Sequence, residues 1–77
     1  MAHILIVEDE AAIADTLIYA LQGEGFTTTW LSLAGEALAL QAREPADLWI
    51  LDVGLPDMSG FEACKQLRRS SEVPVLF

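Results

Sequence analysis

Two apolar runs in this chain end in carboxylates. His3 to Val7 (HILIV) stops at Glu8, Asp9 and Glu10, and Leu48 to Leu51 (LWIL) stops at Asp52. Carboxylates are hard oxygen donors, and several brought together repel and raise one another's pKa values unless a cation compensates. A divalent ion with oxygen ligands and retained waters is the natural partner, and magnesium suits a site with few protein ligands better than calcium does. The same acids have a plainer use. Glu8, Asp9 and Glu10 precede a predicted helix, where carboxylates cap free N–H groups and oppose the helix dipole, and Asp52 could end a strand before a turn. Either cluster alone fits both uses; the two together, at matched strand ends, favour a shared site if the strands are neighbours.

The other reactive residue types lack partners. Cys64 is the single cysteine and His3 the single histidine, so a packed core thiol and a strand residue without a special task are the expectations. Trp30 and Trp49 fall on predicted strands and read as packing residues, with Trp49 the fluorescent side chain expected close to the site. Lys65, Arg68 and Arg69 form the only basic cluster and read as a solvated helix face.

The elements that must position the acids follow from periodicity. The continuous apolar run at 3–7 suits a strand buried on both faces of a parallel sheet. Between Ala11 and Gln22, Ile13, Leu17 and Leu21 recur at helical spacing, and Gly23 and Gly25 stand where a helix would stop. Thr27 to Leu31 (TTTWL) is β-branched and aromatic, a second strand. Ser32 is the expected N-cap of a second helix reaching about Arg43, with Leu33, Ala37, Leu38, Leu40 and Ala42 as its apolar side and Pro45 closing the segment. After the third strand, at Leu48 to Leu51, comes a breaker-rich loop from Val53 to Gly60, then a third helix from Phe61 to Arg69 with Phe61, Cys64 and Leu67 inward. Val73 to Phe77 reads as a fourth strand. The alternation β-α-β-α-β-α-β implies an α/β fold with a doubly wound parallel sheet, because each helix must cross over to return the chain. In such sheets the ligand site lies beyond the carboxyl ends of the strands, where both acidic clusters fall.

Composition bounds the function. Seventy-seven residues allow one small domain, and 53% hydrophobic against 21% charged residues is a composition that forms a core. Twelve acidic against four basic residues, a net charge of -8, would repel a phosphate backbone, so direct nucleic-acid contact by this segment is not expected. The first residues lack the basic n-region and long apolar run of a signal peptide, and no run approaches the length of a membrane span. With one cysteine, a cytoplasmic location fits best.

The stretches I-L-I-V-E-D-E and L-D-V-G-L-P-D-M-S-G-F-E, at Leu51 to Glu62 for the second, closely resemble the receiver domain of two-component response regulators of the OmpR/PhoB type. The resemblance covers all 77 positions and implies a flavodoxin-like sheet in the order 2-1-3-4. It implies Asp52 as the phosphoacceptor, receiving a phosphoryl group from a sensor histidine kinase or a small phosphodonor. Asp9 and Asp52 would ligate Mg2+, with Glu8 beside them, often through water, and the backbone carbonyl of Gly54 completing the protein's share. Pro56 and Gly60 would shape the loop. Any catalysis would be confined to the domain's own phosphorylation, so this is a signalling module rather than an enzyme.

A receiver, at roughly 120 residues a usual single-domain size, has by the same resemblance a fifth strand and two further helices. They should carry a Ser or Thr, a Lys and a switch aromatic. Residues 1–77 are therefore expected to form a single, incomplete receiver domain, with phosphorylation weak or absent. Self-association through the exposed edge of the fourth strand, a homo-oligomer, is expected as well. Two other readings stay open: a fragment without activity, and a magnesium-dependent phosphohydrolase. The latter resembles D-x-D-x-T/V after its strand, whereas Asp52-Val53-Gly54 lacks the second acid.

Overall fold

The computed structural model describes residues 2–77. Elements follow in the order β1 (His3–Val7), α1 (Ala11–Gly23), β2 (Thr27–Leu31), α2 (Ala34–Arg43), β3 (Leu48–Leu51), α3 (Gly60–Leu67) and β4 (Val75–Leu76). The sheet runs β2-β1-β3-β4 with every pairing parallel, the expected doubly wound arrangement.

β1 is central, and its apolar run is buried on both faces, with Ile4, Leu5, Ile6 and Val7 all at 2% exposure or less. Side chains alternate across a strand. Leu5, Val7, Trp49 and Leu51 accordingly join Ala34 and Ala37 of α2 and Ala63 and Leu67 of α3 in one core cluster. The small alanines let both helices lie close to the sheet. α1 packs against β2. Its inward stripe is Ala14, Leu17, Ile18 and Leu21, at helical i, i+3, i+4, i+7 spacing. Ile13, expected inward, is at the margin of that stripe and 45% exposed. Gly25 ends the helix with φ at +91°, a conformation that glycine adopts without a Cβ penalty. The amides of Gly25 and Phe26 return to the carbonyls of Gln22 and Leu21 at 3.0 and 3.1 Å, a Schellman closure.

Three expected boundaries move. α2 begins after Leu33, not Ser32, and Leu33 supplies no side-chain cap. α3 ends at Leu67, and its buried stripe is Gly60, Ala63 and Leu67, while Phe61 is turned outward against Phe77 with ring centroids 5.1 Å apart. Cys64 packs partly buried against the core, as expected. β4 pairs only at Val75–Leu76, although the carbonyl of Pro74 also accepts from Trp49 N–H at 2.9 Å. Pro74 has no N–H to donate. The polar groups of Val73 are engaged in the loop, its carbonyl accepting from Arg68 at 2.7 Å and its N–H donating to Ser71 Oγ at 3.1 Å.

Two polar side chains hold elements together. Gln41, 8% exposed, accepts from both Ala46 N–H and the Trp49 indole at 2.9 Å each. His3 does more than begin a strand: its ring lies 2.6 Å from Thr27 Oγ1 and 2.8 Å from Thr29 Oγ1, stitching β1 to β2. Among the described residues, no helix is long and apolar enough to cross a membrane.

Candidate functional site

The parallel register of β1 and β3 sets Val7 beside Leu51, so the next residues, Glu8 and Asp52, leave the sheet side by side at its carboxyl edge. The backbone secures both positions: Asp52 N–H donates to the Val7 carbonyl at 2.9 Å, and Glu8 N–H to the Leu31 carbonyl at 3.1 Å. Carboxylate oxygens of Glu8, Asp9 and Asp52 all lie within 4.8 Å of one another. The two clusters expected from the sequence thus meet in one place.

The three acids differ in exposure. Glu8 is buried, Asp52 half-buried and Asp9 exposed. Burial pushes the Glu8 carboxyl above its ordinary range, and the charges of Asp52 and Asp9 add to the effect, while a hydrogen bond from Glu10 N–H to its Oε2 at 3.1 Å acts against it. The chain's basic residues, Arg43, Lys65, Arg68 and Arg69, lie in α2 and in or just after α3, and none belongs to this cluster. Three hard oxygen donors, one of them on a buried carboxylate disfavoured as an anion, form a donor set that suits a hard divalent cation such as Mg2+.

The loop after Asp52 is held in several places. Gly60 N–H donates to the Val53 carbonyl at 2.7 Å, Gly54 and Ser59 form an isolated antiparallel bridge, and Leu55 is buried. Gly60 has a steric reason to be glycine. A Cβ there would lie 3.0 Å from both the Asp52 carbonyl carbon and Val53 Cα, and closer still to the Asp52 carbonyl oxygen. Ser59 caps α3, its Oγ accepting from Glu62 N–H at 3.1 Å. Gly54, expected to offer its carbonyl, stands two residues beyond Asp52 in this loop and is exposed.

Two residues near the site escaped the sequence reading. Asp57 accepts from Ala34 N–H through Oδ1 at 3.0 Å and from Gly35 N–H through Oδ2 at 2.9 Å, so the cap that α2 lacks locally comes from the loop after β3. The Gly35 bond is the largest of the causes that hold the Asp57 carboxyl below its ordinary range. Its donors lie 22 and 23 residues earlier, so no local pattern marked it. The second is Trp30, whose indole N–H donates to the Glu8 carbonyl at 2.6 Å. Trp49, expected as the reporter of the site, is fully buried with its indole committed to Gln41. Trp30 is the tryptophan that touches the acidic segment.

Comparison with known proteins agrees with this fold. Residues 4–77 match the family described as the response regulator receiver domain. The sensory transduction protein RegX3 of Mycolicibacterium smegmatis is 49% identical over 76 residues, which cover 99% of this chain and 33% of that protein. The transcriptional regulatory protein CreB of Escherichia coli is 49% identical over 73 residues, 94% of this chain and 32% of that one. The chain therefore spans about a third of the length of the curated relatives it matches. Among solved structures, the response regulator TrrA in complex with the histidine kinase ThkA superposes with a TM-score of 0.89 at 33% identity, covering 97% of this chain and 66% of that one.

Proposed function

This chain belongs to the response regulator receiver domain family, and from that premise we propose that it contributes Asp52 as the acceptor of a phospho-accepting signalling module, phosphorylation of residues 1–77 by themselves being weak or absent. The observation that carries the reading is the convergence of Asp52 with Glu8 and Asp9, remote from it in sequence, to within 4.8 Å. Asp9 and Asp52 would hold Mg2+ directly, with Glu8 beside them and the Gly54 carbonyl completing the set. When bound, the ion would supply positive charge to offset the acceptor carboxylate and the incoming phosphoryl oxygens.

The chain's own residues do the rest. An Asp52 carboxylate oxygen forms the new bond to phosphorus as the bond from phosphorus to the donor breaks. With a phosphohistidine donor the electron pair returns to the imidazole nitrogen, which takes a proton. The Asp52 N–H bond to Val7 and the glycine at position 60 keep the acceptor backbone in place, so positioning and electrostatics dominate. A sensor histidine kinase is the proposed donor, supported by the kinase complex of the similar regulator TrrA. The module would work in the cytoplasm and leave any nucleic-acid contact to other segments.

The test is a Mg2+ titration followed by tryptophan fluorescence. Saturable binding abolished by Asp52→Asn is expected, and a response indifferent to that substitution would refute the site. With acetyl phosphate and Mg2+, any acyl phosphate formed should map to Asp52; one that maps to another carboxylate would refute the assignment. We also propose self-association through β4, which pairs on one side only, with Leu76 and Phe77 exposed. Sedimentation showing a monomer at high concentration would count against it.

A further inference from the structure

We propose that Asp57 is a positioning residue for this site: by clamping the β3–α3 loop to the first turn of α2, it holds the backbone of Gly54 in register with Asp52. The inference rests on the Mg2+ reading above and adds a residue that the reading does not require.

Both carboxylate oxygens of Asp57 are engaged, one on each of the first two amides of α2. Those amides are among the four that every helix leaves without an internal partner. α2 has no side-chain cap of its own, because Leu33 occupies that position. The loop tip is exposed at Pro56 and Asp57, between buried Leu55 and Met58, which packs partly buried against the core, so at the tip itself the Asp57 bonds are the tie to the rest of the fold. Gly60 secures one end of the loop against Asp52, and Leu55 anchors the middle. The Asp57 clamp joins the tip to the first turn of α2, the helix that packs beside α3. The clamp does not depend on glycine at position 35, since an added Cβ would stand in ordinary contact, 3.4 Å, with Asp57 Oδ2.

A cap that only stabilised α2 would be replaceable by a local one. A clamp that positions the loop would not be, and three variants separate the two. In Asp57→Ala, Mg2+ affinity read by fluorescence should fall about tenfold, the lower end of what loss of a group supporting a metal ligand costs. Asp57→Asn keeps a single acceptor oxygen and should fall between the two. In the double variant Leu33→Asp with Asp57→Ala, α2 regains a local cap, and thermal stability should return while Mg2+ affinity stays low. Amide exchange of residues 54–59, measured without Mg2+, should rise in Asp57→Ala and remain raised in the double variant. Unchanged exchange and affinity in Asp57→Ala would overturn the clamp, and so would recovery of both in the double variant. A parent chain that ignores Mg2+ would sink the functional reading instead, and the exchange measurement would still decide whether Asp57 holds the loop.

Discussion

Replacing Asp52 with Asn should stabilise the metal-free chain. The substitution is nearly isosteric and removes one of three carboxylates whose oxygens lie within 4.8 Å. At that separation a pair of like charges costs about 0.9 kcal/mol in a medium like bulk water and about 3.5 kcal/mol at an effective dielectric constant near 20. Glu8 is buried and Asp9 exposed, so the site lies between these limits, nearer the first for the pair with Asp9. Relief of two pairs, discounted for solvent screening, is worth about 1–2 kcal/mol. For a domain of this size, urea unfolding should show it as a midpoint raised by about 1 M or more. Added NaCl should shrink the difference. Saturating Mg2+ should reverse the order, because a ligand at a hundred times its Kd stabilises the chain that binds it by about 2.7 kcal/mol. An Asp52→Asn chain that is less stable than the parent at low salt without Mg2+ would refute the account of the site as a cluster of uncompensated charge.

The pH dependence has two opposing contributions. Glu8 is raised from its ordinary 4.5, so the folded chain holds this proton more firmly than the unfolded one, and its contribution falls as pH rises from about 4.5 through the raised value; Glu8→Gln or saturating Mg2+ should flatten that decline in urea unfolding. Asp57 is lowered from 3.8, so its contribution is fully present above that value and lost as pH falls through the lowered one, and Asp57→Ala should remove this acid-side loss at a cost of about 1 kcal/mol at neutral pH. Gly60→Ala drives a methyl group into the backbone of Asp52 and Val53 and should cost about 1–3 kcal/mol together with the Mg2+ response, checked by thermal unfolding and titration. Trp30→Phe should abolish the fluorescence response to Mg2+ while Trp49→Phe preserves it, since only Trp30 is bonded to the acidic segment.

Much of the fold is local enough to be read along the chain. A continuous apolar run such as HILIV has one economical place, the centre of a parallel sheet, and β1 is buried there on both faces. Helical spacing and a terminating glycine located α1 for the same reason. Which face turns inward was less legible. Phe61 and Ile13 fit an apolar periodicity as well as their neighbours do, yet packing against the sheet selected Gly60, Ala63 and Ala14, because close helix approach favours small side chains.

The residue types of Glu8, Asp9 and Asp52, and their positions at strand ends, follow from the sequence alone, because strand burial is encoded by contiguous residues. Their meeting does not. It depends on β1 and β3 pairing in a register that sets Val7 beside Leu51, and register is a relation between segments more than forty residues apart. The same holds for Asp57 on α2 and Trp30 on Glu8. Hydrogen bonds across such separations leave no periodic trace in a sequence, and only the folded chain decides them.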